Sequence, residues 1–277
     1  MIRKFMLIGD SGLLLYYINQ DDIKIDADLL SGFCKALYEV SRELTYKLNT
    51  VGFEKNKMIV EAIKHGKNDG KKKTLLLSTI FDEYHIVEGI KNKIHHLYEQ
   101  YFKDFDFGDE TRNIMTHEMN EKITTILNDT PLKSYVLRNM EAFTSILDPI
   151  LSEEENNIYA YCLCSSSNEI ILHNETSHLL ENRSSESIED IIKDYLIQLK
   201  LDEVPQGDKF VGLDLPFGLD YIDYDISGEK TLGVVINTSI NLKEEPNNEL
   251  LLYFFGKNIL IRSCVLNVET RLREQLI

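Results

Sequence analysis

Two short apolar segments rich in strand formers, Ile2–Ile8 and Leu13–Ile18, flank the tetrapeptide Gly9-Asp10-Ser11-Gly12. Turn-forming residues with glycine at both ends, set between such runs, predict a β-hairpin at the head of the chain. Each turn residue then has a physical role, since the glycines relieve positive φ and Asp10 bonds the backbone ahead of it. Asp21-Asp22 then breaks the strand pattern. From Asp26 the apolar positions Leu30, Phe33, Leu37, Val40 and Leu44 recur at spacings of three and four, which predicts an amphipathic helix capped near Asp26.

The same order continues and then repeats. Leu48–Phe53 and Met58–Ile63 read as a hairpin across Glu54-Lys55-Asn56, and Thr74–Phe81 as a further strand. Val87, Ile90, Ile94, Leu97, Tyr101 and Phe102 mark a second helix opened near Asp82, and Ile114, Met119, Ile123, Ile126 and Leu127 a third. Asn128-Asp129-Thr130-Pro131 interrupts the pattern, with Pro131 suited to the first position of a new helix. Beyond it a helix is expected over Leu132–Leu147, strands over Ile158–Cys164 and Glu169–His173, and a helix Ile188–Leu201 capped by Ser187-x-x-Asp190. Strands then follow over Phe210–Leu215, Leu219–Ile226 and Thr231–Ile240, and a helix from about Glu245 to the C-terminus, built on Leu250, Phe254, Ile261, Val265, Val268, Leu272 and Leu276. The expected fold is α+β, with two domains, 1–129 and 130–277. Each is a five-stranded antiparallel sheet in ββαβββα order with flanking helices.

With 43% hydrophobic and 27% charged residues in 277, the chain has the composition of a folded protein with real cores. The net charge is −16, unevenly placed: residues 1–130 carry 18 basic and 21 acidic side chains, and the remainder 12 and 25. So acidic a C-terminal half repels phosphate backbones and anionic headgroups, which disfavours nucleic acid and electrostatic membrane docking. No run of 18 apolar residues and no signal-peptide pattern occurs, so a cytoplasmic protein without an integral membrane segment is expected. Cys34, Cys162, Cys164 and Cys264 suit reduced core thiols better than a disulfide framework. His95-His96 and His117-Glu118 lack the spacing of a zinc helix, and no phosphate-binding Gly-x-x-x-x-Gly-Lys-Ser/Thr stretch occurs. No metal or cofactor is expected.

The hairpin "IGDSGLLLYY" and the element order that follows it make residues 1–127 resemble the longin domain, while the second half, with its leading helix, resembles the related roadblock type. The resemblance implies a non-catalytic interaction platform that binds or regulates a small GTPase in trafficking or signalling. It reaches membranes only through its partner. It also implies pairing, by joined sheet edges and by the helix after the first hairpin, either between the two halves or with another copy or another longin or roadblock protein. On that helix the apolar stripe would face the sheet, leaving Lys35, Glu39 and Arg42 as partner-binding candidates.

Two other readings carry specific residues. Gly9-Asp10-Ser11, Gly66-Lys67-Asn68-Asp69 and Asp82-x-x-His85 match, in order, short blocks of the SGNH hydrolases. There Ser11 would attack, His85 would act as base and Asp82 would orient it. Against this, Ser11 runs straight into a return strand instead of a helix N-terminus. The third reading is a sensor of the PAS or GAF kind, with Phe217–Tyr224 and Tyr253–Phe255 lining a small-molecule pocket.

Overall fold

The computed structural model describes residues 1–44, 50–66, 73–105, 107, 116–152, 158–175, 187–198, 231–239, 249–257, 268, 270–272 and 274. It is an α+β protein whose chain divides into two compact units, Met1–Asn128 and Asp129–Ile277.

In the N-terminal unit the strands are β1 (Ile2–Ile8), β2 (Leu14–Asn19), β3 (Val51–Gly52), β4 (Asn56–His65) and β5 (Lys73–Asp82). They form one antiparallel sheet in the order β2-β1-β5-β4-β3. The central strands β1 and β5 are buried on both faces, which is why they read as unbroken apolar runs. On one face Phe5, Leu7, Leu77 and Phe81 pack with helix α2 (Val87–Leu97), the π-helical turn Tyr98–Phe102 that extends it, and helix α3 (His117–Leu127). On the other, Met6, Ile8, Met58, Val60 and Leu76 pack with Leu30 and Cys34 of helix α1 (Ala27–Glu43). The sheet is thus sandwiched between α1 and the later helices.

The C-terminal unit opens with helices α4 (Thr130–Arg138) and α5 (Met140–Ser152). It continues with β6 (Ile158–Ser165), β7 (Ile170–Glu175), helix α6 (Ile188–Gln198), β8 (Thr231–Ser239) and β9 (Glu249–Lys257). Its sheet runs β7-β6-β9-β8, again antiparallel. Leu132, Val136, Phe143 and Leu147 cover the face carrying Tyr161, Leu163, Leu252 and Phe254, and Val268 and Leu272 join that core.

The two sheets share one register. Leu7 pairs with Tyr16 and Leu77, and Leu163 with Leu172 and Leu252; the pairing shifts between Leu7 and Ile8 and again between Leu163 and Cys164. The turns match as well. Gly9 N donates to Leu13 O at 2.8 Å and Gly12 N to Gly9 O at 2.9 Å; Ser165 N donates to Glu169 O at 2.9 Å and Asn168 N to Ser165 O at 2.8 Å.

Several expectations need correction. Glu249–Lys257 is a strand and not the start of a terminal helix. Leu250 to Phe255 are buried on both faces of a central strand, and in such a run the four-residue spacing of Leu250 and Phe254 imitates a helix. The single helix expected over Leu132–Leu147 is two, broken at Asn139, whose side-chain amide donates to Tyr135 O at 2.8 Å while its own carbonyl accepts from Phe143 N. Helix α2 starts at Val87, because Asp82 still pairs in the sheet and His85 N turns back to Asp82 O. The strands expected over Phe210–Leu215 and Leu219–Ile226 lie outside the described residues; the C-terminal sheet has four strands among those described.

Candidate functional site

Asp26 caps α1 as its position foretold: its Oδ1 accepts from Asp28 N at 2.9 Å and Leu29 N at 3.1 Å. The helix so placed holds the first hairpin turn. Ser31 Oγ donates to Gly12 O at 3.1 Å, Lys35 Nζ reaches Asp10 Oδ1 at 3.4 Å, and Gly12 sits at φ 86° with the Lys35 stem against it. Gly9-Asp10-Ser11-Gly12 is therefore a turn docked on α1, with Asp10 and Ser11 facing solvent.

The face that α1 turns to the sheet differs from the expected stripe. Leu30, Ser31 and Cys34 are buried, and Leu37 and Tyr38 half-buried against the same core. Phe33, Val40 and Leu44 are exposed, together with Leu29, which leaves 72% of its surface in solvent. The cause is the width of the apolar arc. A helix needs an arc of about 100° to cover a sheet; here Cys34 and Ser31 complete the inward side and the larger side chains are left on the neighbouring face. Cys34 Sγ lies 3.3 Å from Ser78 Oγ, and burial pushes its thiol pKa up.

The candidates Lys35, Glu39 and Arg42 come together on the third face of α1. Glu39 accepts from Lys35 Nζ at 2.6 Å and from Arg42 Nη2 at 2.5 Å, and both cations lie over the Tyr38 ring, at 5.7 and 6.0 Å. Exposed pairs of this kind are worth about 1 kcal/mol or less each, so the trio contributes a charge pattern more than stability.

Exposed apolar side chains cluster around this helix. Among the described residues of the N-terminal unit the large exposed hydrophobics are Leu13, Ile23, Ile25, Leu29, Phe33, Val40, Leu44 and Phe53. All but Phe53 belong to α1, the turn docked on it, or the segments at its ends. The signal was present in the sequence as an apolar arc too wide for one sheet contact, with Gly32 and Ala36 leaving gaps in it.

The hydrolase residues are not assembled. Ser11 lies past the C-terminal end of β1, while Asp82 and His85 lie beside its N-terminal end, about 20 Å away along a seven-residue strand. Asp82 is engaged by the Met1 amino group at 2.9 Å and by Arg3 Nε, and His85 stacks on Tyr84. Asn68 and Asp69 lie outside the described residues. Of the pocket candidates, Tyr253 and Phe255 are buried in the C-terminal sheet, and Phe217–Tyr224 lie outside the described residues.

The remaining polar groups have structural partners. His95 meets Glu61 at 2.5 Å and His117 meets Glu121 at 3.3 Å. Cys162 and Cys164 are buried with their sulfurs 3.3 Å apart, and burial raises the Cys164 pKa. Cys264 lies outside the described residues. Among the described residues no group of three or more His, Cys, Asp and Glu could hold a metal ion, and no helix is long and apolar enough to cross a membrane. Comparison with known proteins finds no matching family model and no significantly similar curated protein.

Proposed function

We propose that this chain is a non-catalytic interaction platform of the longin and roadblock kind, which receives a protein partner on α1 and there binds or regulates a small GTPase. The observation that carries the reading is the collection of exposed apolar side chains around α1, from Ile23 to Leu44, on a helix packed against the sheet. Clustered exposed apolar surface rimmed by charge is a mark of protein contact. The charge around it points the same way: residues 10 to 44 carry seven acidic and three basic side chains, a poor match for anionic lipid or nucleic acid. The GTPase, as the partner class, rests on the resemblance of the hairpin and the element order. In this reading the protein works in the cytoplasm and meets membranes through its partner.

The test is a pull-down from native lysate with the full chain, run with GDP and with a non-hydrolysable GTP analogue, beside a Phe33→Asp variant. Nucleotide-sensitive recovery of a small GTPase that Phe33→Asp abolishes is the expected result. Recovery of none, in either nucleotide, removes the GTPase from the reading.

A further inference from the structure

The apolar face of α1 is self-complementary, and we infer that its occupant is α1 of a second copy of this chain, packed antiparallel about a twofold axis. The inference rests on the reading of α1 as an interaction face and commits it to one partner. In an antiparallel pair centred between Cys34 and Lys35, each large side chain meets a small one or its own kind. Phe33 lies opposite Ala36, Leu37 opposite Gly32, Leu29 opposite Val40, and Ile25, just before the helix, opposite Leu44. The space above Gly32 is open, with nothing within 4 Å of where a Cβ would stand, so a knob from the other helix has a hole to enter.

Charge is compatible with the same register. Arg42, 63% exposed at its side chain, lies opposite Ala27 and so beside Asp26 and Asp28 of the other copy, and antiparallel helix dipoles attract. Size also suffices. Seventeen residues make a stripe about 26 Å long and about 10 Å wide, which Ile23, Ile25 and Leu13 extend; doubled by symmetry this approaches the roughly 1,000 Å² that a specific interface needs.

The matching helix of the C-terminal unit offers no such face. Helix α6 follows β7 as α1 follows β2, but it buries Ile191, Ile192 and Leu196 and exposes Glu189, Asp190 and Asp194. An acidic surface does not complement Leu29, Phe33 and Val40. Like therefore pairs with like across two chains, and a symmetric contact of this kind closes at the dimer.

Sedimentation equilibrium of the full chain from about 1 to about 100 μM tests this. A species of twice 32.1 kDa at the upper end is expected, with Phe33→Asp and Val40→Asp each weakening self-association by about tenfold or more while the thermal transition stays in place. For the register, Leu29→Cys chains mixed with Val40→Cys chains should cross-link on mild oxidation, whereas neither should alone. A monomer throughout, a dimer insensitive to both aspartates, or cross-linking of Val40→Cys chains by themselves overturns the inference. A monomer whose GTPase capture is still lost in Phe33→Asp would overturn the pairing alone; a dimer that captures no GTPase would uphold the pairing and count against the GTPase.

Discussion

The hairpins β1–β2 and β6–β7 close with the same two turn hydrogen bonds and the same register shift, yet their turns lie in opposite surroundings. Gly9–Gly12 is largely exposed and relies on glycine for its positive φ. In Ser165–Glu169 the left-handed position is taken by Asn168 at φ 66°, and Ser165, Ser167 and Asn168 are all buried. They are buried because Asp129, itself 3% exposed, accepts from Ser165 Oγ at 2.7 Å and Ser167 Oγ at 3.2 Å, and Tyr253 donates its hydroxyl to Asn168 Oδ1. The same backbone solution therefore needs only glycine at a surface, but a satisfied polar network in an interior. The following helices differ in the reverse sense: α1 leaves apolar side chains outside, whereas α6 exposes acids. One unit turns its polarity inward and is closed; the other keeps apolar surface outward and is open to a partner.

The sharpest way to break this comparison is one aspartate placed on each helix. Ile192→Asp puts a charge at a fully buried site and should lower stability by more than about 4 kcal/mol, or prevent the C-terminal unit from folding. Phe33→Asp, on the exposed face, should stay within about 0.5 kcal/mol of wild type in a urea titration. Comparable losses would mean that α1 is covered within the chain.

Next come the turns. Asp129→Ala strands two buried hydroxyls and should cost about 3 kcal/mol, while Asp10→Ala removes one long exposed contact and should cost about 0.5 kcal/mol or less. Equal effects in chemical denaturation would show that the Asp129 network is not what holds the second turn.

Smaller still are the left-handed positions. Gly12→Ala forces an alanine to φ 86° with Lys35 Cγ 3.4 Å from its Cβ, a strain of about 1 kcal/mol; Asn168→Ala adds the loss of the Tyr253 partner, for about 2 kcal/mol in all. Asn168→Gly should fall between alanine and wild type, since glycine keeps the φ and loses only the hydrogen bond.

The smallest effect is titratable and confined to the N-terminal unit. Burial raises the Glu61 carboxyl pKa, but hydrogen bonds from Lys91 and His95, at 3.0 and 2.5 Å, outweigh it and hold the value below the usual carboxylate range. A depressed folded-state pKa means that the contribution is complete above the unfolded value of about 4.3 and is lost as pH falls through the folded one. Glu61→Gln should flatten the acid limb of the stability profile by less than about 1 kcal/mol. Ile236 holds the matching register on β8, so a C-terminal probe should not report this change.

Local chemistry accounts for what was legible in the residues. Asp26 and Ser187 announced their helices because a capping side chain acts within three residues. The first hairpin was legible because its turn needs glycine at a position that the sequence shows. The β6–β7 turn was harder to see, since Asn168 takes the left-handed place only with burial to support it. The strand Glu249–Lys257 was misread because burial on both faces erases the two-residue alternation that marks a strand. The break at Asn139 was invisible for a similar reason: apolar spacing continues across it while a side-chain hydrogen bond ends the helix.

For the candidate site, the residues were named correctly as a group and wrongly in orientation. Lys35, Glu39 and Arg42 do share a face, because positions three and four apart on a helix must. Which apolar residues meet the sheet is not a property of the helix alone. By itself the sequence determined that α1 forms, where it begins, and that its apolar arc is broad. Only the tertiary structure decided that Leu30, Ser31 and Cys34 turn inward and leave Leu29, Phe33, Val40 and Leu44 outside. A helix can rotate about its own axis at little local cost, and packing against Met6, Met58, Leu76 and Ser78 selects the angle.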